Sequence, residues 1–197
     1  MNKEELEQIN SYLTFKLGEE EFAAHVSRVL SIMEMVKITK VPKSPDYMQG
    51  VINLRGQVLP VVDTRIKFGM TPTEFTANTC IVVMEVNVNG EEVQVGTLVD
   101  SVQEVLEITE DQIQPPPSIG SKYKSEFISG MAKVEEKFIM ILDMDKVFSA
   151  EEMMNVQAST EQGRQQGVEQ TNGGSRENSQ QEDEQQAAQT SASENAQ

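Results

Sequence analysis

Asn53-Leu54-Arg55-Gly56 sets a carboxamide, a guanidinium and a glycine between two apolar runs in GVINLRGQVLPVVD. A guanidinium there can fork onto a partner's carboxylate, or cap carbonyls of its own turn. Other residues able to do chemistry are few. His25 is the only histidine and Cys80 the only cysteine. They fall in separate strand-like stretches, so no Cys–His nucleophile pair is expected. His25 reads as a wall residue of an alternating strand, and Cys80 as a small core residue. Asp63 and Asp143 invite an acid–base reading, but their matched settings at the ends of apolar runs fit turn chemistry better. No metal-ligand spacing, phosphate-cradling glycine loop or nucleophile elbow is present. The acids of 103–111 read as a solvated face. Met33, Met35 and Met48 read as core, with an adaptable interface as the alternative. The expectation is a binding protein without a catalytic site, metal or cofactor.

The elements that position these residues are mostly strands. Residues 1–10 fit a short amphipathic helix carrying Leu6 and Ile9. Tyr12, Phe15 and Leu17 begin a strand, Gly18-Glu19-Glu20 turns, and Phe22-Ala23-Ala24 returns. VSRVLSIMEMV (26–36) fits a helical turn followed by a strand. VPKSP breaks the chain. Residues 50–54 and 57–62 form a hairpin about Arg55-Gly56. Pro60 puts its strand at an edge, or turns its nitrogen away from the ladder. A second hairpin spans 80–100 about Asn89-Gly90, and 101–108 forms a further strand. TEDQIQ and PPPSIG break the chain again. A third hairpin spans 127–143 with its turn near Glu135-Glu136, and a helix begins at 144–154.

An internal repeat runs through this pattern. YMQGVINLRGQVLPVVDTRIKF (47–68) overlies FISGMAKVEEKFIMILDMDKVF (127–148) without a gap. Gly50 meets Gly130, Asp63 meets Asp143, and Tyr47 meets Phe127. A second offset lays Val26, Val29 and Ile32 over Val99, Val102 and Val105. Each half reads as hairpin, strand, break, hairpin, and two related small barrels would leave few exposed edges. Asn53-Leu54-Arg55-Gly56 meets Lys133-Val134-Glu135-Glu136, so this element is unique to the first copy and becomes a candidate for function.

Charge narrows the partners. The formal charge is −16 over 197 residues. Residues 1–149 carry 14 Lys/Arg against 23 Asp/Glu, and residues 150–197 carry 2 against 9. Both parts repel phosphate, so neither nucleic acid nor an anionic membrane surface is an expected partner. A lone cysteine, no signal peptide and no apolar run of membrane length lead to the expectation of a soluble cytoplasmic protein. The tail over 151–197 is dominated from residue 157 by Gln, Glu, Ser, Asn, Gly and Ala, and is expected to be disordered.

GVINLRGQVLPVVDTRIKFG resembles the most recognisable segment of the CheW family of bacterial chemotaxis coupling proteins. FKLGEEEFA, VSRVLSI, KVPKSPDYMQG, VGTLVDSVQEVLEI and FISGMAKVEEKFIMILDMDKV follow in that family's order. The resemblance covers 11–150 and leaves the tail out. It implies a mostly β fold of two SH3-like five-stranded β-barrel subdomains around a common core, with short helices at the ends. It also implies a non-enzymatic adaptor, associated with membrane-bound receptor arrays without inserting into the membrane. Its partners would be the cytoplasmic tip of methyl-accepting chemoreceptors and the regulatory domain of the histidine kinase CheA. The receptor-facing residues carried over are Val29, Ser31, Ile32, Val102 and Val105; Ser31 stands where the family often has an acid. Gly50, Asn53, Arg55 and Gly56 match positions tied both to kinase coupling and to subdomain integrity. The competing readings are a CheW-like adaptor of another kinase pathway, such as pilus motility, and a generic β-barrel binding module. The length leaves no room for a receiver domain, so a CheW–receiver fusion is not expected.

Overall fold

A computed structural model describes residues 9–116 and 127–148. The tail, most of the expected N-terminal helix, the PPPSIG break from Pro117 onward and the expected helix beyond Phe148 lie outside the described residues. The strands are β1 (Ser11–Leu17), β2 (Glu20–His25), β3 (Val29–Glu34), β4 (Met48–Leu54), β5 (Gln57–Asp63), β6 (Cys80–Val88), β7 (Glu91–Val99), β8 (Ser101–Glu107), β9 (Ile113–Gln114), β10 (Ile128–Val134) and β11 (Lys137–Leu142). A 3-10 turn at Val26–Arg28 leads into β3, as the pattern of 26–36 implies. The hairpins turn where expected: Arg55, Asn89 and Glu135 all take left-handed φ, between 53° and 55°. That twist matches the flanking strands, which is why two-residue turns of this hand close hairpins.

The strands form two sheets, ordered β8-β1-β2-β11-β10-β9 and β3-β6-β7-β5-β4. Replacing each strand by its repeat-mate makes the two orders coincide, apart from the two-residue β9. Register repeats as well. Val61 on β5 pairs with Gly96 and Ile141 on β11 with Ala23, both in parallel ladders. Val29 and Ile32 pair with Met84 and Val82, as Val102 and Val105 pair with Phe15 and Leu13.

Neither sheet, however, is one repeat. Each takes its first hairpin from one repeat and its remaining strands from the other. The sequence halves therefore do not map one to one onto the sheets. Alternation reports which face a residue takes, not which strand lies alongside. The consequence is cooperativity, since neither sheet is complete without strands from both halves. Pro60 lies on β5, which sits between β7 and β4 rather than at an edge. Its missing donor costs no bond to β7, because the parallel ladder between them begins one residue later at Val61.

Each sheet has its own small core on one face: Ile52, Leu59, Val61, Ile81, Val83 and Leu98 in one, Ala23, Ile108, Ala132, Ile139 and Ile141 in the other. The opposite faces meet in a shared core that includes Phe15, Phe22, Val62, Phe68, Val82, Met84, Leu142 and Phe148. Phe68 links its aromatic part, with ring centroids 5.5 Å from Phe22 and 5.7 Å from Phe127.

Candidate functional site

β3 and β8 each form one edge of their sheet, and both carry a bulge. The bulges explain a spacing that is odd for strands. Residues three apart on a regular strand point to opposite faces; an extra residue restores them to one face. Val29 and Ile32 share a face with their partners Met84 and Val82, and Val102 and Val105 with Phe15 and Leu13. All four partners belong to the shared core. Val29 and Val102 are half-buried against that core, while Ile32 and Val105 are 48% and 56% exposed. The shared core thus continues outward as an apolar strip on both edge strands. Thr14 pins the β8 bulge: its hydroxyl donates to the Glu104 carbonyl at 2.8 Å and accepts the Glu104 N–H at 3.2 Å.

Cys80 pairs with Glu34 of β3 and, like Val102 of β8, packs partly buried against the shared core. Burial pushes the thiol pKa up, and the polar backbone at Val102 pulls it partly back.

Ser31 does not join the strip. It pairs with Val83, whose side chain lies in its own sheet's core, so it occupies the other face of β3. Met33 and Met35 pack against that same core and Met48 is buried, which makes them packing residues. Leu30 and Val36 are exposed apolar residues that the sequence reading did not single out. Their signal is the excess of apolar residues in VLSIMEMV over what a strand with one buried face can cover.

The second candidate surface is the β4–β5 turn, where the four singled-out residues have distinct jobs. Gly50 takes φ +142°, and a Cβ there would overlap the Thr39 carbonyl. Thr39 and Val51 hold that approach with two backbone hydrogen bonds, at 2.9 and 2.8 Å. Gly50 is therefore architectural. Asn53 Oδ1 accepts the Gly56 N–H at 2.8 Å, and Gly56 takes φ +86°, so these two shape the turn. Arg55 points into solvent, and among the described residues its guanidinium has no hydrogen bond or ion pair. It does not cap its own turn. Val58, opposite Asn53, is 41% exposed beside it.

The remaining reactive groups are occupied structurally. Asp63 is fully buried and caps the helical turn Thr64–Lys67, accepting the N–H groups of Arg65 and Ile66. Asp143 caps Met144–Val147 in the same way through the Lys146 N–H. His25 caps the Val26–Arg28 turn by accepting the Ser27 N–H, and packs edge-on to Tyr12 at 5.1 Å. Among the described residues no group of three or more His, Cys, Asp or Glu is placed to hold a metal ion. No described helix is long and apolar enough to cross a membrane.

Comparison with known proteins adds the relatives. Residues 11–152 match the family model described as the CheW-like domain. The chain is 34% identical over 142 residues to a chemotaxis protein CheW of Klebsiella aerogenes, covering 72% of this chain and 83% of that one. It is 36% identical over 140 residues to a probable chemotaxis protein CheW of Rhizobium etli, covering 71% and 88%. Among solved structures it resembles the scaffolding protein TtCheW of Thermoanaerobacter tengcongensis. That match has a TM-score of 0.65 at 32% identity and covers 72% of this chain and 88% of that one.

Proposed function

This chain belongs to the CheW-like domain family, and from that premise we propose that its two surfaces serve two partners in chemotaxis signalling. The chain is a chemotaxis coupling adaptor. Its receptor surface is the apolar strip of Val29, Ile32, Val102 and Val105, and the occupant is the cytoplasmic tip of a methyl-accepting chemoreceptor. A helix laying its apolar face across two edge strands would cover Ile32 and Val105. The observation that carries this reading is the outward continuation of the shared core onto both edges, a surface no fold requires to be apolar.

The kinase surface is the β4–β5 turn, with Arg55 as the group offered to a carboxylate of the regulatory domain of CheA. The adaptor does no covalent chemistry. Each partner biases the other's binding through it, and linkage makes that coupling reciprocal. Modest interfaces of this kind bind weakly one at a time, and an array of receptors supplies avidity.

The test is co-sedimentation with membranes carrying a chemoreceptor signalling tip, with and without CheA, together with kinase autophosphorylation. Sedimentation with both partners and stimulation of the kinase is the expected result. A folded protein that sediments with neither would overturn the reading and assign this fold to another pathway.

A further inference from the structure

Two ion pairs occupy repeat-related sites with their charges reversed. In the first, Arg28 of the 3-10 turn meets Asp145 at 2.6 Å, and Asp145 also accepts the Asn87 backbone N–H at 2.7 Å. In the second, Arg65 meets Asp100 at 3.3 Å, and Asp100 also accepts the Gly18 backbone N–H. Arg65 and Asp145 are exact repeat-mates, each two residues after a capping aspartate. Arg28 and Asp100 fall within one residue of being mates by the offset that lays Val29 over Val102. Each site is built alike: a residue entering β3 or β8, a residue of the helical turn of the other repeat, and a backbone donor from that other repeat's first hairpin.

The charges are segregated. Both cations come from the first repeat and both acids from the second. We propose that this segregation is a pairing code, by which each repeat accepts the other and rejects a second copy of itself from another chain. The fold makes such a code useful. The two halves share strand order, register and capping residues, so two chains could in principle match like with like.

Matching first repeat to first would set Arg28 against Arg65 and leave the Gly18 N–H facing two cations without an acceptor. Matching second to second would set Asp100 against Asp145. The native sites are partly dehydrated, with side-chain exposures of 25% and 33% in one and 15% and 21% in the other. Like charges at such positions are penalised more than on an open surface.

The test makes the chain charge-symmetric without breaking either native pair. Arg65→Asp with Asp100→Arg turns the second site into a copy of the first, with the cation entering β8 and the acid on the helical turn. Like-with-like pairing then meets opposite charges at every site. Parent and double variant are denatured, refolded at high concentration, and compared by size-exclusion chromatography with light scattering. The double variant is expected to give about tenfold more associated species than the parent, and the difference is expected to vanish near about 1 M salt, where screening reaches ~3 Å. The single variant Arg65→Asp, which sets two acids together in the native pairing, is expected to melt lower and to be rescued by Asp100→Arg. A folded double variant that associates no more than the parent overturns the code, as does a single variant as stable as the parent. If the double variant fails to fold, Arg28→Asp with Asp145→Arg is the equivalent swap at the other site. Failure of both overturns the premise that each site needs only opposite charge.

Discussion

Asp63 holds Thr73 with both carboxylate oxygens: the Thr73 N–H reaches Oδ2 and its hydroxyl reaches Oδ1, each at 3.0 Å. The same carboxylate caps the helical turn that follows β5, so one buried side chain fastens the connection between the repeats to the second sheet. Asp63→Ala would orphan several donors at once. A loss of about 3 kcal/mol is expected in urea unfolding, against about 1 kcal/mol for Asp143→Ala, whose carboxylate is partly exposed. Equal losses at the two sites would show that the Thr73 contacts contribute nothing.

Gly50 and Gly130 are repeat-mates that should respond differently to alanine. At Gly50 the new Cβ meets backbone, the Thr39 carbonyl, held in place by the bridge to Val51. At Gly130 the nearest atom is a side-chain methyl of Ile113 on the short edge strand β9, and the nearest backbone atom, the Gln114 carbonyl oxygen, is 3.3 Å away. Gly50→Ala is expected to cost about 3 kcal/mol or more, and Gly130→Ala clearly less, in the same unfolding assay. Gly56→Ala meets open space and should cost only the left-handed strain of about 1 kcal/mol.

The Cys80 thiol provides a probe of the strip. Its pKa is raised in the folded protein, chiefly by burial. The neutral thiol is thus the form the fold favours. Its contribution to stability is present below the unfolded thiol's pKa and is lost as pH rises through the folded value. Alkylation of native protein by iodoacetamide should accordingly follow a pH profile displaced to higher pH than that of a free thiol at about 8.5. A bound receptor tip should slow the reaction further, because Cys80 lies partly buried against the same shared core as Val29 and Val102 of the strip. A profile at or below that of a free thiol would contradict the burial.

How much of this could be read in advance divides by range. The hairpins, the Gly50–Gly130 and Asp63–Asp143 matches and the strand before Glu34 are local, and turn residues and alternation report them. The exchange of first hairpins between repeats is not local. Phe22 shows the same alternation whether its strand lies beside β11 or beside β5. The bulges were legible only indirectly, through the three-residue spacing of Val29 with Ile32 and Val102 with Val105. The same bulge turns Ser31 to the face opposite Val29, which simple alternation would have denied. Whether Arg55 caps its own turn depends on carbonyls brought near by the tertiary fold, and composition is silent on that.

Separating the two partners is the sharpest use of the two surfaces. Val105→Glu and Ile32→Glu place a charge on exposed positions of the strip, where no core contact is lost, and stability should change by no more than about 0.5 kcal/mol. Receptor co-sedimentation should fall at least about tenfold, since a helix seated there would bury the carboxylate unpaired. Val29→Glu would weaken receptor binding too, but it also enters the shared core's margin and should lower the melting temperature. Arg55→Ala removes an exposed guanidinium with no described partner, so the melting temperature should hold while stimulation of CheA falls. Retained receptor binding by Arg55→Ala and retained kinase binding by Val105→Glu would establish that the strip and the turn act independently. Loss of both partners in either variant, with the fold intact, would instead make the two surfaces one.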